Sequence, residues 1–488
     1  MYNPKHGYVI YCNSCYESDS WDKKSYFVNY DENRPFFDQF QELFKKTPKA
    51  SLYISKASGI NLNSDYVNYA GGIKNCYFIF NGGPAEDSMY SRGVVFSKDS
   101  SDSYFGMNVD RCYECVNIFN SSGVFWGINV NNCLDSMFLM DCSGLTNCFG
   151  CVNLRMKSYC WFNEQLSRSE YEERLKTVQG SYTKMQAEYL KFQEFALKFP
   201  NRENHNLKVQ NCRGDYLMEC KNVVNSFEIA SSENVMFAFS AKKLKDSLGV
   251  VGFGFNSESL FDCAAVGYSS NVIGSVIVEN SQNILNSFSL YGCSDCIGCA
   301  SLKNGKFCIL NKEYREEEYN KIKEKIIQEL KEKELYGYMI PSEISPFGYN
   351  ESIVMDNAPL NETEVLAFGC RWEEDLQKTE GKETIKTEDI PDNIEEVNES
   401  FLKEICVCFD CKRNYKLTSQ EFSFYKKMKL PIPRKCFYCR HKDRLQKRGP
   451  YKFWDRDCAK CGKSISTNYD LNRPEIVYCE SCYQKEVY

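Results

Sequence analysis

The stretch "NCFGCVNLRMKSYCWFNEQLSRSEYEE" beginning at Asn147 recurs as "DCIGCASLKNGKFCILNKEYREEEYNK" beginning at Asp295. Cys148, Cys151, Cys160, Asn163 and Tyr171 fall on Cys296, Cys299, Cys308, Asn311 and Tyr319 at one constant offset, which makes the first two thirds of the chain a duplication. Each copy closes a region of uniform composition and opens a charged helical stretch. The first helix is expected to run to about Phe199, where Pro200 stops it, and the second to about Leu335, before the "YGYMIP" turn.

Within each copy a smaller unit recurs, Asp or Asn followed by Cys or Ser. The first copy has Asn63-Ser64, Asn75-Cys76, Asp87-Ser88, Asp102-Ser103, Asn132-Cys133, Asp141-Cys142 and Asn147-Cys148. The second has, among others, Asn211-Cys212, Asn225-Ser226, Asp246-Ser247, Asp262-Cys263 and Asp295-Cys296. Short apolar runs such as "YFIF", "MFAF" and "GSVIV" lie between them, with abundant Gly and no long helical pattern. This pattern predicts a β-rich chain with two duplicated parallel β-solenoid-like modules, each ending in an amphipathic helix. Cys, Ser and Val would fill a narrow interior while Asn side chains satisfy the turn backbones. The motif spacing runs 12 and 12, then 15, later 6 to 10, which implies that coil length is not fixed. A compact pair of β-sandwiches is the rival. Cys148, Cys151 and Cys160, and their copies at Cys296, Cys299 and Cys308, could hold a metal with Cys142 or Cys293. The favoured alternative is an interior ladder of free thiols, since unpaired cysteine is among the most buried residue types.

Twenty-seven cysteines in 488 residues admit either a secreted disulfide scaffold or an intracellular protein that uses thiolates for metal. The N-terminus "MYNPKHGYVIYCNSC" lacks the apolar core of a signal peptide. No stretch approaches the roughly 18 uncharged apolar residues of a membrane span. An odd number of cysteines cannot pair fully within one chain. The reading is cytoplasmic and reducing, with no membrane partner. Net charge is −6, too mild to name a polyanionic partner. His6, His205 and His441 are the only histidines and do not cluster, which disfavours triads and histidine metal centres. The expectation is a non-enzymatic protein with no small-molecule substrate.

The last ninety residues carry the chemistry. Cys408-x2-Cys411 is followed 25 residues on by Cys436-x2-Cys439, and Cys458-x2-Cys461 is followed 18 on by Cys479-x2-Cys482. A CxxC knuckle turns two sulfurs to one side, so two knuckles close a tetrahedral site of soft ligands. Two structural Zn2+ sites are therefore expected, each contributing on the order of 10 kcal/mol. Chelation is expected to unfold residues 401–488. "YVIYCNSCYES" from Tyr8 also overlays "EIVYCESCYQK" from Glu475, with Cys12 and Cys15 on Cys479 and Cys482. These two read as half of a third, incomplete zinc site. The expectation is that Met1 is an internal methionine and that an upstream treble clef with its first CxxC has been lost; a site shared between two copies and ordinary thiols are the alternatives.

Residues 403–463 hold 18 Lys and Arg against 6 Asp and Glu. Arg434, Lys435, Arg440, Arg444, Lys447, Arg448 and Lys452 are interleaved with Phe437, Tyr438, Tyr451, Phe453 and Trp454, a pattern that suits phosphate contacts and base stacking. Nucleic acid is thus one expected partner. A protein partner or self-association through a structural scaffold is the second reading. A polysaccharide-active solenoid is the third, and it would need convergent carboxylates, whereas the Asp residues here suit turns.

The segment "CFDCKRNYKLTSQEFSFYKKMKLPIPRKCFYCRHKDR" resembles the treble-clef zinc-ribbon family. The resemblance rests on Cys408, Cys411, Glu421, Phe424, Tyr425, Leu430, Pro431, Pro433, Cys436, Cys439 and Arg440. The chain as a whole is similar to uncharacterised zinc-ribbon proteins of uncultivated small-genome bacteria and large DNA viruses. Tyr11-Cys12, Ser18-Asp19, Trp21-Asp22, Arg34-Pro35-Phe36-Phe37 and the closing "EVY" carry that likeness. It implies small zinc domains and no established activity. The expected division is 1–50 partial zinc segment and lead-in helix, 51–200 first module, 201–349 second module, 350–400 acidic linker, 401–450 treble clef and 451–488 zinc ribbon.

Overall fold

The computed structural model describes residues 2–54, 59–376 and 378–487. The fold is β-rich and divides into two units. One, the first-copy unit, comprises residues 53–203, 375–465 and 469–488. The other, the second-copy unit, comprises residues 1–52, 204–374 and 466–468. The C-terminal segments expected as small domains of their own, 401–450 and 451–488, thus fall within the first-copy unit apart from 466–468.

In both copies a strand pairs in parallel with the stretch about one repeat later. In the first copy Tyr77 faces Met89, and the pairing then continues through Ser101, Tyr113, Phe125, Met137, Phe149 and Trp161, every step 12 residues. In the second copy Ala264 faces Val276, then Phe288 and Ala300, again by steps of 12, with one step of 13 at Val251 and Ala264. The cause is local. Asp87, Tyr90, Gly93, Phe96, Asp99, Asp102, Phe105 and Asn108 all have φ between 44° and 69°, so the backbone bends at every third residue. Asn, Asp and Gly adopt this left-handed conformation readily, whereas Phe78 or Trp126 does so at about 1–2 kcal/mol. Inter-strand bonds offset that cost: the Phe78 amide donates to the Asp65 carbonyl at 3.2 Å and the Trp126 amide to Tyr113 at 2.8 Å. Stacked rings add to it, with Tyr66 and Phe78 centroids 5.2 Å apart.

In the first copy the three-residue bend explains the wandering motif spacing, whereas the second copy also pairs by 11 at Leu207 and Met218 and by 13 at Val251 and Ala264, so repeat length does vary there. From Asn63 to Asn147 the motif spacings are 12, 12, 15, 30, 9 and 6, all multiples of three. The motif moves between bends while the 12-residue offset persists.

Inside, Ser and Cys do one job. Each donates to the carbonyl two residues back and accepts an amide from the next strand. Ser100 Oγ donates to Lys98 O at 2.7 Å and accepts from Cys112 N at 3.0 Å. Cys115 Sγ donates to Tyr113 O at 3.3 Å and accepts from Gly127 N at 3.4 Å. Burial pushes the thiols of Cys76 and Cys133 up to about 11. Outside, Asn side chains form ladders: Asn211 donates to Asn222, Asn222 to Asn234 and Asn234 to Asp246, at 2.9, 2.9 and 2.7 Å. This ladder ends at Asp246, whose carboxylate accepts but cannot donate.

The charged stretch after the first copy is two helices, Arg168–Val178 and Tyr182–Ala196, where the sequence suggested one. Gly180 at φ 85° breaks it, and Ser181 caps the second helix while donating to the Asp392 carboxylate. The supposed solvated linker is also corrected. Ile390, Ile394, Val397 and Phe401 are buried in one core with Met185, Phe192, Phe422 and Tyr425. In the second-copy unit, Phe36, Phe40, Leu43 and Phe44 of the helix Phe36–Lys46 pack against Ile297, Ile309 and Tyr319.

Asn75, at φ 52°, accepts from Asn63 at 2.8 Å and donates to Asp87 at 3.0 Å. Asn75→Ala loses both bonds and keeps the strained backbone, so urea denaturation should show a loss of about 1–2 kcal/mol. An unchanged midpoint would remove the side-chain ladder from the account.

Candidate metal centres

Both C-terminal cysteine sets are assembled from a tight turn and a helix start. In the first set, Cys408 follows the strand Cys406–Val407, which pairs antiparallel with Asn414–Tyr415. Its amide donates to Arg413 O at 2.9 Å across a turn that holds Lys412 left-handed at φ 61°. Cys436 is the N-cap of the helix Phe437–Arg448, and Cys439 lies in that helix's first turn. The second set repeats the plan. Cys458 N donates to Lys463 O at 2.8 Å with Gly462 at φ 72°, and Cys479 precedes the helix Glu480–Val487.

The sulfurs of Cys408, Cys411, Cys436 and Cys439 all lie within 4.8 Å of one another, as do those of Cys458, Cys461, Cys479 and Cys482. Cys411 and Cys436 sulfurs are 3.7 Å apart, and those of Cys461 and Cys479 are 3.8 Å apart. Four sulfurs about 2.3 Å from a central ion form a tetrahedron with edges of about 3.8 Å, whereas a disulfide needs about 2.05 Å. Each set fits a metal ion and fills its coordination with protein ligands. The amides of Cys436 and Cys479 donate to the sulfurs of Cys408 and Cys458, both at 3.2 Å. Such bonds favour thiolate. Cys408 is drawn down to about 4, by the Cys436 side chain first and then by backbone amides. Burial opposes ionisation of Cys458, but the amides of Cys479, Cys461 and Lys460 hold it at about 6.

Among the described residues, these two sets are the groups of three or more candidate ligands. Cys148, Cys151 and Cys160, with their copies, form no such group and sit inside the body as buried thiols. Cys12 and Cys15 are exposed at the start of the helix Asn13–Glu17. Cys406 is buried beside the first set without belonging to it.

The basic residues expected to meet phosphate are largely turned inward, which corrects that assignment. Arg434, Arg440, Arg444 and Arg448 are all at most 8% exposed. Arg440, Arg444 and Arg448 recur every four residues, so they share one helix face. Arg440 Nε donates to Asp102 Oδ1 at 3.0 Å and Nη2 to Glu421 Oε1 at 3.1 Å. Arg444 Nη1 donates to Asp102 Oδ1 at 2.8 Å and to Glu114 Oε1 at 3.0 Å. Arg448 donates to the Tyr104 hydroxyl at 2.9 Å. Arg434 donates to the carbonyls of Ile390 and Pro391 and lies over the Tyr182 ring. Lys447 is 3.9 Å from Glu114, and Lys435 pairs with Asp410 and Asp443. Lys452 alone of the seven is exposed, beside Trp454. His441 lies by the Phe437 and Tyr104 rings. The aromatics are partly spent too: Phe437 stacks on Tyr90 with centroids 5.1 Å apart.

Burial opposes the charge on Asp102, yet Arg440 and Arg444 hold its carboxyl below the usual range. Glu114 and Glu421 are raised, because burial outweighs their cationic neighbours. The arginine spacing was available in the sequence. The partners were not, because Asp102 and Glu114 lie more than 300 residues away.

No family model matches the chain, and no curated protein does. It does match solved structures. Among them is a "putative acetyltransferase from Desulfovibrio desulfuricans G20", at 8% identity and a TM-score of 0.12, over 55% of this chain and 70% of that one. The expectation of a protein without enzymatic activity is not kept against that finding. At so low a TM-score the likeness itself carries no argument about fold or chemistry. No helix among the described residues is long and apolar enough to cross a membrane.

Arg444→Met leaves Glu114 only Lys447 at 3.9 Å and removes half of Asp102's pairing, so it should cost about 3–5 kcal/mol. Adding Glu114→Gln should recover part of that loss. Urea denaturation of the two single variants and the double variant measures this, and simple additivity would show that the pair does not act together.

Proposed function

We propose that the chain is a zinc-binding scaffold protein built on two parallel β-solenoids, with Zn2+ in both four-cysteine sets. The 12-residue parallel register and a bend at every third residue support a four-sided coil, three residues to a side. Sulfur separations near the edge of a zinc–thiolate tetrahedron support the metal. The likeness of residues 408–440 to treble-clef zinc-ribbon proteins accords with the metal. A reducing, cytoplasmic setting suits a chain whose 27 cysteines are all free.

One observation carries the functional reading. The helix that begins at the first zinc set gives its arginine face to carboxylates of its own body. The zinc module therefore acts as an internal clamp, and the cationic surface that phosphate binding would need is reduced. The partner to seek is a protein.

The zinc-loaded 488-residue chain should carry two Zn2+ through the four-cysteine sets. Its binding to single- and double-stranded oligonucleotides, followed by fluorescence anisotropy over a salt series, should be weak. Tight binding that falls steeply with salt would instead mean several phosphate contacts and would reverse the choice of partner.

A further inference from the structure

The N-terminal knuckle repeats the surroundings of a complete cysteine set, residue for residue. Ile10 and Tyr11 pair in parallel with Lys49 and Ala50. Val477 and Tyr478 pair in parallel with Asn201 and Arg202. Ser51 N donates to Tyr11 O at 2.8 Å, and Glu203 N donates to Tyr478 O at 2.9 Å. Within the knuckles, Cys12 Sγ lies 3.2 Å from Ser14 Oγ, and Cys479 Sγ lies 3.3 Å from Ser481 Oγ. Tyr16 and Tyr483 close their helices on Cys12 O and Cys479 O, both at 2.9 Å. Both tyrosines are then buried against the end of a body. Tyr16 Oη meets Ser289 Oγ at 2.9 Å, and Tyr483 Oη donates to Asn153 Oδ1 at 2.7 Å. The helices before the paired strands also correspond: Phe40-Gln41-Glu42 precedes Pro48 as Phe192-Gln193-Glu194 precedes Pro200.

One difference remains. Cys479 and Cys482 meet Cys458 and Cys461, whereas Cys12 and Cys15 belong to no group of three or more candidate ligands among the described residues. Residues 1, 55–58, 377 and 488, outside that description, include no Cys, His, Asp or Glu. This chain therefore offers two thiolates, both exposed, in a frame that elsewhere presents half a tetrahedron. A soft divalent ion held by two sulfurs needs two more ligands, and a two-fold axis through the ion supplies them as the same knuckle of a second copy.

We propose that Cys12 and Cys15 bind Zn2+ together with Cys12 and Cys15 of a second copy, joining two chains through one ion. This rests on the zinc reading of the C-terminal sets. The ion displaces one thiol proton per sulfur that is not already ionised, and no electron moves.

The test is metal analysis by mass spectrometry with light scattering after size exclusion, on the 488-residue chain prepared with zinc under reducing conditions. The expected result is a dimer of the 56.6 kDa chain carrying one ion per two chains beyond those in the C-terminal sets. Cys12→Ser/Cys15→Ser should give a monomer that has lost that ion alone. A wild-type monomer, or a dimer and ion count that the double variant leaves unchanged, would overturn the proposal while the C-terminal zinc reading stands. Absence of zinc altogether would overturn both.

Discussion

A left-handed backbone at every third residue turns the chain so often that a strand meets its continuation 12 residues later. The other regularities follow from that turning. Side chains at one position of the repeat stack in columns: small and aliphatic residues inside, with Ser or Cys where amide and carbonyl take a side-chain partner, and Asn ladders outside. A column of Cys and Ser suits a narrow interior because both are small and both donate and accept. The cysteine content that resembles a metal or disulfide protein is mostly this packing requirement.

The same columns make the docking site. Tyr90, Asp102 and Glu114 are left-handed residues spaced by 12, one above another. Strands lie about 4.8 Å apart and a helix advances about 6 Å in four residues, so arginines four apart climb the column almost in step. Arg440 reaches Asp102 and lies over the Tyr90 ring, and Arg444 reaches Asp102 and Glu114. Cys436 and Cys439 set where that helix begins, and the arginines set which column it lies on. A buried cluster of this kind is costly to desolvate, so it is better suited to fixing one docking arrangement than to adding much net stability.

The duplication, the body's composition and both cysteine sets were legible because each is a local or periodic signal. Cys408 to Cys439 could be grouped from spacing alone. The 12-residue register of the first copy was not legible, because Phe78, Tyr90 and Trp126 adopt a conformation that local preference assigns to Asn and Gly, and inter-strand bonds explain it. Asp102 reads as a turn former and is one, but its carboxylate also meets two arginines far along the chain. The stretch holding Ile390, Ile394, Val397 and Phe401 reads as acidic and solvated because its four apolar residues are sparse, although they face one core. The charge of residues 403–463 gives a sum and no direction, and here Arg440, Arg444, Lys447 and Arg448 face the body.

The central claim is that the metal, the basic helix and the body form one cooperative unit. Hydrogen–deuterium exchange of the 488-residue chain, before and after complete metal removal, tests it most directly. The account expects protection to fall in residues 406–448 and also across the body strands from Met89 to Phe125 that the helix covers. A loss confined to residues 406–448, with those strands unchanged, would contradict it.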